Sequence, residues 1–197
     1  MICLDNIYGF YKRYQNARNA AWQALIDLKV TSLPVQLSAI CQNLGIVLLD
    51  NTHVQELRPT ESGLSVRQNG KWYIVFDDTD NRSKQRFTVA HELGHILMGH
   101  ALKNGFYTRQ SNLVKPADET DADMFAARLL APACVLWGIN AVTANQIAKV
   151  CDISLSAAIY RAERLNMLRK RGKFLTSPLE KQVYEQFKDY IQNNRIQ

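Results

Sequence analysis

The segment His91-Glu92-Leu93-Gly94-His95 constrains this chain more than any other, because its two histidines meet only if the segment is an α-helix. Residues four apart on a helix differ by about 40° around the axis, so His91 and His95 project from one face and can share one ion through their ring nitrogens. The surroundings agree: Phe87, Ala90, Gly94, Leu97 and Met98 recur at helical spacing after a polar, cap-rich turn from Asp77 to Asn81. Three of the four histidines, His91, His95 and His100, fall within ten residues. His100 lies beyond the spacing of the pair and is expected at the surface or in support of a ligand.

Glu92 is then held beside the ion without having to bind it. In that position a carboxylate can take a proton from an attacking water and return it to a leaving amine, which is the chemistry of peptide-bond hydrolysis. A catalytic zinc has three protein ligands and leaves its fourth position open, so a third ligand must come from elsewhere in the chain. The leading source is Asp118-Glu119-Thr120-Asp121-Ala122-Asp123, which opens an amphipathic helix with Ala122, Phe125, Ala126, Leu129 and Leu130 on one stripe and Pro132 at its end. Glu119 and Asp123 share a face, so Glu119 can ligate while Asp123 accepts the N–H of a ligand histidine. Asp121, on another side of the same turn, is the competitor for the ligand role. Plain compensation of the helix dipole would account for the same acidic turn without any metal. Imidazole and carboxylate also suit manganese, iron or nickel; the motif and the affinity order favour one Zn²⁺ per chain.

At these residues the sequence resembles the ImmA/IrrE family of metallopeptidases. The likeness runs from Arg86 to Leu97, then through Glu119, Ala122-Asp123, Phe125-Ala126-Ala127 and Leu129-Leu130-Ala131-Pro132, and more weakly through Leu33-Pro34-Val35 and Leu44-Gly45-Ile46, covering roughly residues 17 to 140. The resemblance implies a gluzincin-like site with His91, His95 and Glu119 as ligands and Glu92 as the catalytic glutamate. Ala131-Pro132 stands where family members often have Met-Pro. The resemblance also implies a protein substrate, a helix-turn-helix transcriptional repressor whose cleavage derepresses a mobile element or stress regulon.

Around this centre the chain reads as mostly helical α+β. Ala17, Ala20, Ala21, Ala24, Leu25 and Leu28 predict a helix over 16–29, and Thr31-Ser32-Leu33-Pro34 is expected to start a second, closed by Gly45. Short strands are expected at Ile46–Leu49, Leu64–Arg67 and Trp72–Phe76, the last two joined by a hairpin turn at Asn69-Gly70, giving a small mixed sheet. The strand Trp72–Phe76 is expected either to offer an exposed edge for an extended substrate or to be an ordinary half-buried strand. Tyr73 and Tyr107 are both conceivable oxyanion donors, and the sequence assigns neither.

Residues 1–139 are read as the peptidase domain and 140–197 as a C-terminal helical subdomain. Within the latter, Gln146 to Arg161 resembles a helix-turn-helix, with Cys151 or Asp152 where such turns often carry Gly. Arg161, Arg164, Arg169, Lys170, Arg171 and Lys173 against Glu163 concentrate +5 of the net +6 charge there, so contact with DNA or an acidic partner through this basic region is a second expectation, a plain solvated helix face and turn being the alternative. The competing class of function is a DNA-binding regulator with a vestigial or sensory metal site; the unpaired general base Glu92 argues against it. The N-terminus lacks the pattern of a signal peptide, no stretch is long enough to span a bilayer, and the scattered cysteines form no C-x-x-C pair. These features point to the cytoplasm and exclude a membrane-embedded or disulfide-stapled protein.

Overall fold

A computed structural model of the chain describes residues 16–100 and 117–196. Helix α1 (Ala17–Asp27) buries the expected alanine and leucine stripe, Ala17, Ala20, Ala21, Ala24 and Leu25. Helix α2 (Leu37–Asn43) begins later than its sequence suggests. The stretch 31–36 stays irregular, consistent with Pro34 disfavouring helical backbone at the residue before it, yet Leu33 and Val35 are still buried. Gly45, at φ 70°, turns the chain out of this helix.

Strands β1 (Val47–Asp50), β2 (Gly63–Gln68) and β3 (Lys71–Phe76) form one sheet in the order β1-β3-β2, and the short helix α3 (Asn51–Val54) follows β1. The β2–β3 hairpin closes at Asn69 and Gly70, whose φ values of 50° and 78° are those a tight two-residue turn demands. β1 pairs parallel to β3, from Val47 opposite Tyr73 to Asp50 opposite Phe76. The strand expected to offer an edge is therefore the central one, and β1 and β2 are the edges. The physical reason is legible in the run Trp72-Tyr73-Ile74-Val75-Phe76: successive residues Ile74 and Val75 are both buried, so both faces of β3 are covered.

Helix α4 (Arg82–Met98) packs on β2, β3 and α2 and carries the paired histidines. Its first turn is closed by Asn81, whose side chain accepts from the Lys84 amide at 3.1 Å, and it ends at Gly99 with φ 74°. From Thr88 to Met98 every residue is buried, so this helix is interior along its second half. Helix α5 (Ala117–Leu130) approaches it closely at Gly94, where an added Cβ would lie 3.0 Å from Phe125 Cδ1 and 3.3 Å from Phe125 Cβ. A side chain at position 94 would hold the two helices apart.

The described residues divide into two compact units: 16–20 with 36–100 and 117–126, and 21–35 with 127–196. The second unit holds α6 (Ala133–Gly138), α7 (Ala144–Cys151), α8 (Leu155–Lys170), α9 (Pro178–Gln186) and α10 (Lys188–Asn193). Gln186 ties the early segment into it, donating from Nε2 to the carbonyls of Leu25 and Val30 at 2.8 and 2.7 Å. A capping box of Thr143 and Gln146 starts α7, Asp152 takes the left-handed conformation at φ 53°, and Ser154 caps α8. Asp152 thus occupies the position where such turns often have Gly, a conformation that Asp tolerates better than most side chains.

Two of the six basic residues in the C-terminal cluster turn inward. Arg161 donates from Nε to the Ala131 carbonyl at 2.7 Å, and Arg169 donates from Nη2 to the Ala141 carbonyl at 3.0 Å. Burial, with Arg128 nearby, brings the Arg161 guanidinium down to a pKa of about 10. The architecture is mostly helical α+β, and among the described residues no helix is long and apolar enough to cross a membrane. Cys41, Cys134 and Cys151 are buried free thiols, and burial pushes the Cys41 thiol up to about 12.

Candidate metal centre

Helices α4 and α5 bring His91, His95 and Glu119 together. All three are buried, and their ligand atoms lie within 4.8 Å of one another. His91 Nε2 and His95 Nε2 face each other at 3.0 Å, while Glu119 Oε1 lies 3.3 Å from His95 Nε2 and Oε2 lies 3.5 Å from His91 Nε2. In a tetrahedral zinc site with ligand bonds near 2.0 Å, neighbouring ligand atoms are roughly 3.3 Å apart, so the set fits such an ion.

The surrounding hydrogen bonds explain why these atoms converge. Asp123 Oδ1 lies 2.8 Å from His91 Nδ1 and takes the N–H there, which leaves the His91 Nε2 lone pair directed inward. Two imidazole lone pairs and a carboxylate aimed at one buried point require positive charge between them, either a proton or a metal ion. Burial lowers the basicity of His91, but the hydrogen bonds to Asp123 and Glu119 and the charges of Glu92 and Glu119 outweigh it and raise its pKa to about 9. Burial likewise opposes ionisation of Glu119, and its pairing with His91 and His95 overcomes this, holding the carboxyl well below the usual range. A divalent cation answers the same demand without a proton.

Glu92 is buried on the same helix, and desolvation raises its pKa against the opposing pull of His91 and His95. It lines a pocket together with His91, Glu119 and Asp123, whose other walls are Ser62, Gly63, Lys84, Phe87 and Thr88. Strand β2 reaches this wall closely: a Cβ on Gly63 would collide with Thr88 Cγ2 and lie 3.3 Å from both Cγ and Oε1 of Glu92. Only glycine lets the strand lie against the helix there.

Of the residues singled out from sequence, His91, Glu92, His95, Glu119 and Asp123 meet at one place. Asp121, half-buried on α5, is not in the cluster. His100 is buried rather than at the surface, its ring against that of His95. Tyr73 is half-buried on β3 and does not line the pocket, and Tyr107 lies outside the described residues. Sequence reasoning missed Lys84, Phe87, Thr88 and Gly63. A glycine opening a strand is a usable sign of close backbone approach, and Phe87 and Thr88 lie within the family-like run 86–97; nothing in the sequence marks Lys84.

Two helices that bring an H-E-x-x-H pair and a glutamate to one buried point, beside a short sheet, define a centre of metallopeptidase type. The chain belongs to the family of the IrrE N-terminal-like domain, peptidase M78, which matches residues 41–163. The match runs past residue 140, through α7 and into α8. No curated protein matches the chain.

Proposed function

We propose that this protein is a zinc-dependent endopeptidase that hydrolyses a peptide bond in a helix-turn-helix transcriptional repressor, acting in the cytoplasm to derepress a mobile-element or stress regulon. The observation that supports hydrolysis best is the placement of Glu92, a buried carboxylate outside the ligand set yet in the same pocket as His91 and Glu119. A structural metal site would not call for that group.

In this reading His91, His95 and Glu119 hold Zn²⁺, and Asp123 orients His91 by accepting its Nδ1–H. When bound, zinc polarises the scissile carbonyl and makes water nucleophilic at neutral pH. Glu92 takes the proton from the attacking water and delivers it to the departing amine, and its burial helps it keep that proton in between. β2, the edge strand beside Glu92, offers backbone groups to which an extended substrate segment adds as a further strand. This moves the substrate-holding role from β3 to β2.

The test is to incubate the zinc-loaded protein with purified helix-turn-helix repressors and search for fragments by mass spectrometry. A discrete pair of fragments, absent after chelation, is the expected result. Intact repressors in the presence of zinc-bound enzyme would sink the substrate assignment.

For the C-terminal region, protein contact is favoured over DNA contact by what α8 turns outward. Leu155, Ile159, Tyr160 and Met167 are exposed there, an apolar set that base reading does not call for, alongside exposed Arg164, Asn166 and Lys170 on the same helix. Arg161 and Arg169, engaged with backbone carbonyls, contribute little to a phosphate-binding face. Duplex DNA is accordingly expected to be retained weakly; tight retention lost steeply as salt rises would favour the regulator reading instead.

A further inference from the structure

The two ligand histidines are supported differently. His91 leans on a carboxylate, whereas His95 Nδ1 lies 3.1 Å from Nδ1 of a second imidazole, His100. The rings meet edge to face, with centroids 5.2 Å apart and planes at 70°. His100 follows Gly99, whose positive φ ends α4, and it is only 5% exposed. Its far nitrogen, Nε2, faces Asp118 Oδ1 at 3.7 Å, so an acidic group stands behind it.

A neutral imidazole carries one N–H and one lone pair, and that count fixes the arrangement. With His95 Nε2 directed at the metal, the His95 proton resides on Nδ1. His100 Nδ1 must then accept it, which places the His100 proton on Nε2, facing Asp118. Each assignment dictates the next.

We propose that His100 is a positioning residue for the metal centre: its Nδ1 lone pair fixes the tautomer and ring orientation of His95, and the Asp118 carboxylate, 3.7 Å from His100 Nε2, favours the His100 proton on that side by its charge alone. This rests on the reading of His91, His95 and Glu119 as ligands. The role differs from filling space, because it needs an acceptor at one atom rather than volume. Asparagine places a carbonyl oxygen near the position of the histidine Nδ1, while leucine fills comparable space and accepts nothing.

The experiment is a chelator competition that measures Zn²⁺ affinity of the full chain as wild type, His100→Leu and His100→Asn, with circular dichroism confirming the fold. His100→Leu is expected to bind zinc about 10- to 100-fold more weakly, with His100→Asn restored close to wild type. Nitrogen-15 spectra of the metal-free protein supply a second readout: His95 should hold its proton on Nδ1 in wild type and His100→Asn, and populate both tautomers in His100→Leu. Equal affinities for the two variants, whether strong or weak, would overturn the proposal. A wild-type protein that binds no zinc would instead remove the ligand assignment on which it rests, and with it the role of His100.

Discussion

Protein purified without added metal is expected to carry about one zinc per chain, and His95→Ala and Glu119→Ala to carry almost none, while Asp121→Ala keeps its full complement. The expectation follows from the geometry of α4 and α5. His95 Nε2 stands 3.0 Å from His91 Nε2 and 3.3 Å from Glu119 Oε1, so each single truncation removes one corner of a three-cornered set. The loss should exceed that of an ordinary ligand deletion, because the remaining groups are buried. In His95→Ala, Glu119 and His91 would meet as a neutralised pair around a proton, a state that competes with metal. Asp121 is a sharp control, since it lies two residues from Glu119 and shares its charge but is absent from the cluster. Elemental analysis by mass spectrometry settles the stoichiometry, and melting curves with and without zinc give an independent check, since a ligand that binds only the folded state raises the midpoint. A wild type still free of metal after zinc is offered would end the peptidase reading and move the DNA-binding reading of the C-terminal helices α7 and α8 to first place.

How much of this centre could be read from the residues alone depends on how local each part is. His91, Glu92 and His95 are fixed relative to one another by helix geometry, so their spacing suffices. Glu119 is fixed by tertiary approach: Gly94 admits Phe125, and that contact brings the first turns of α5 to the two imidazoles. The sequence shows four carboxylates between Asp118 and Asp123 and a facial argument to choose among them, but not the closeness that makes the choice. The sheet shows the same division. The Asn69-Gly70 hairpin is legible because the turn itself demands those residues, whereas the parallel pairing of β1 with β3 joins segments more than twenty residues apart and carries no local mark. That pairing is why β3 became central and β2 the edge beside Glu92. Charge was misleading in a similar way at Arg161, whose position on α8 suggests solvent and whose guanidinium instead satisfies the Ala131 carbonyl.

Glu92→Gln is expected to keep its zinc and its fold and to lose about 10²- to 10⁴-fold in turnover of the cleaved repressor, equivalent to about 3 to 5 kcal/mol of transition-state stabilisation. The substitution is nearly isosteric, so the close approach of Gly63 to this side chain is preserved, and none of His91, His95 and Glu119 is replaced. What disappears is the ability to hold a proton. The burial that raises the pKa of Glu92 makes it a better base for this purpose, while an amide at the same place offers an oxygen that accepts a hydrogen bond but never the proton itself. The defect should therefore fall on kcat with KM little changed, since in the proposed binding mode the β2 edge and not Glu92 holds the substrate backbone. Removing a ligand instead abolishes activity together with metal, so measuring zinc content and turnover on the same preparation separates the two causes. A Glu92→Gln protein that retains zinc and still cleaves within tenfold of wild type would show that proton transfer runs through another group, and the general-base assignment would have to be abandoned even with the metal site intact.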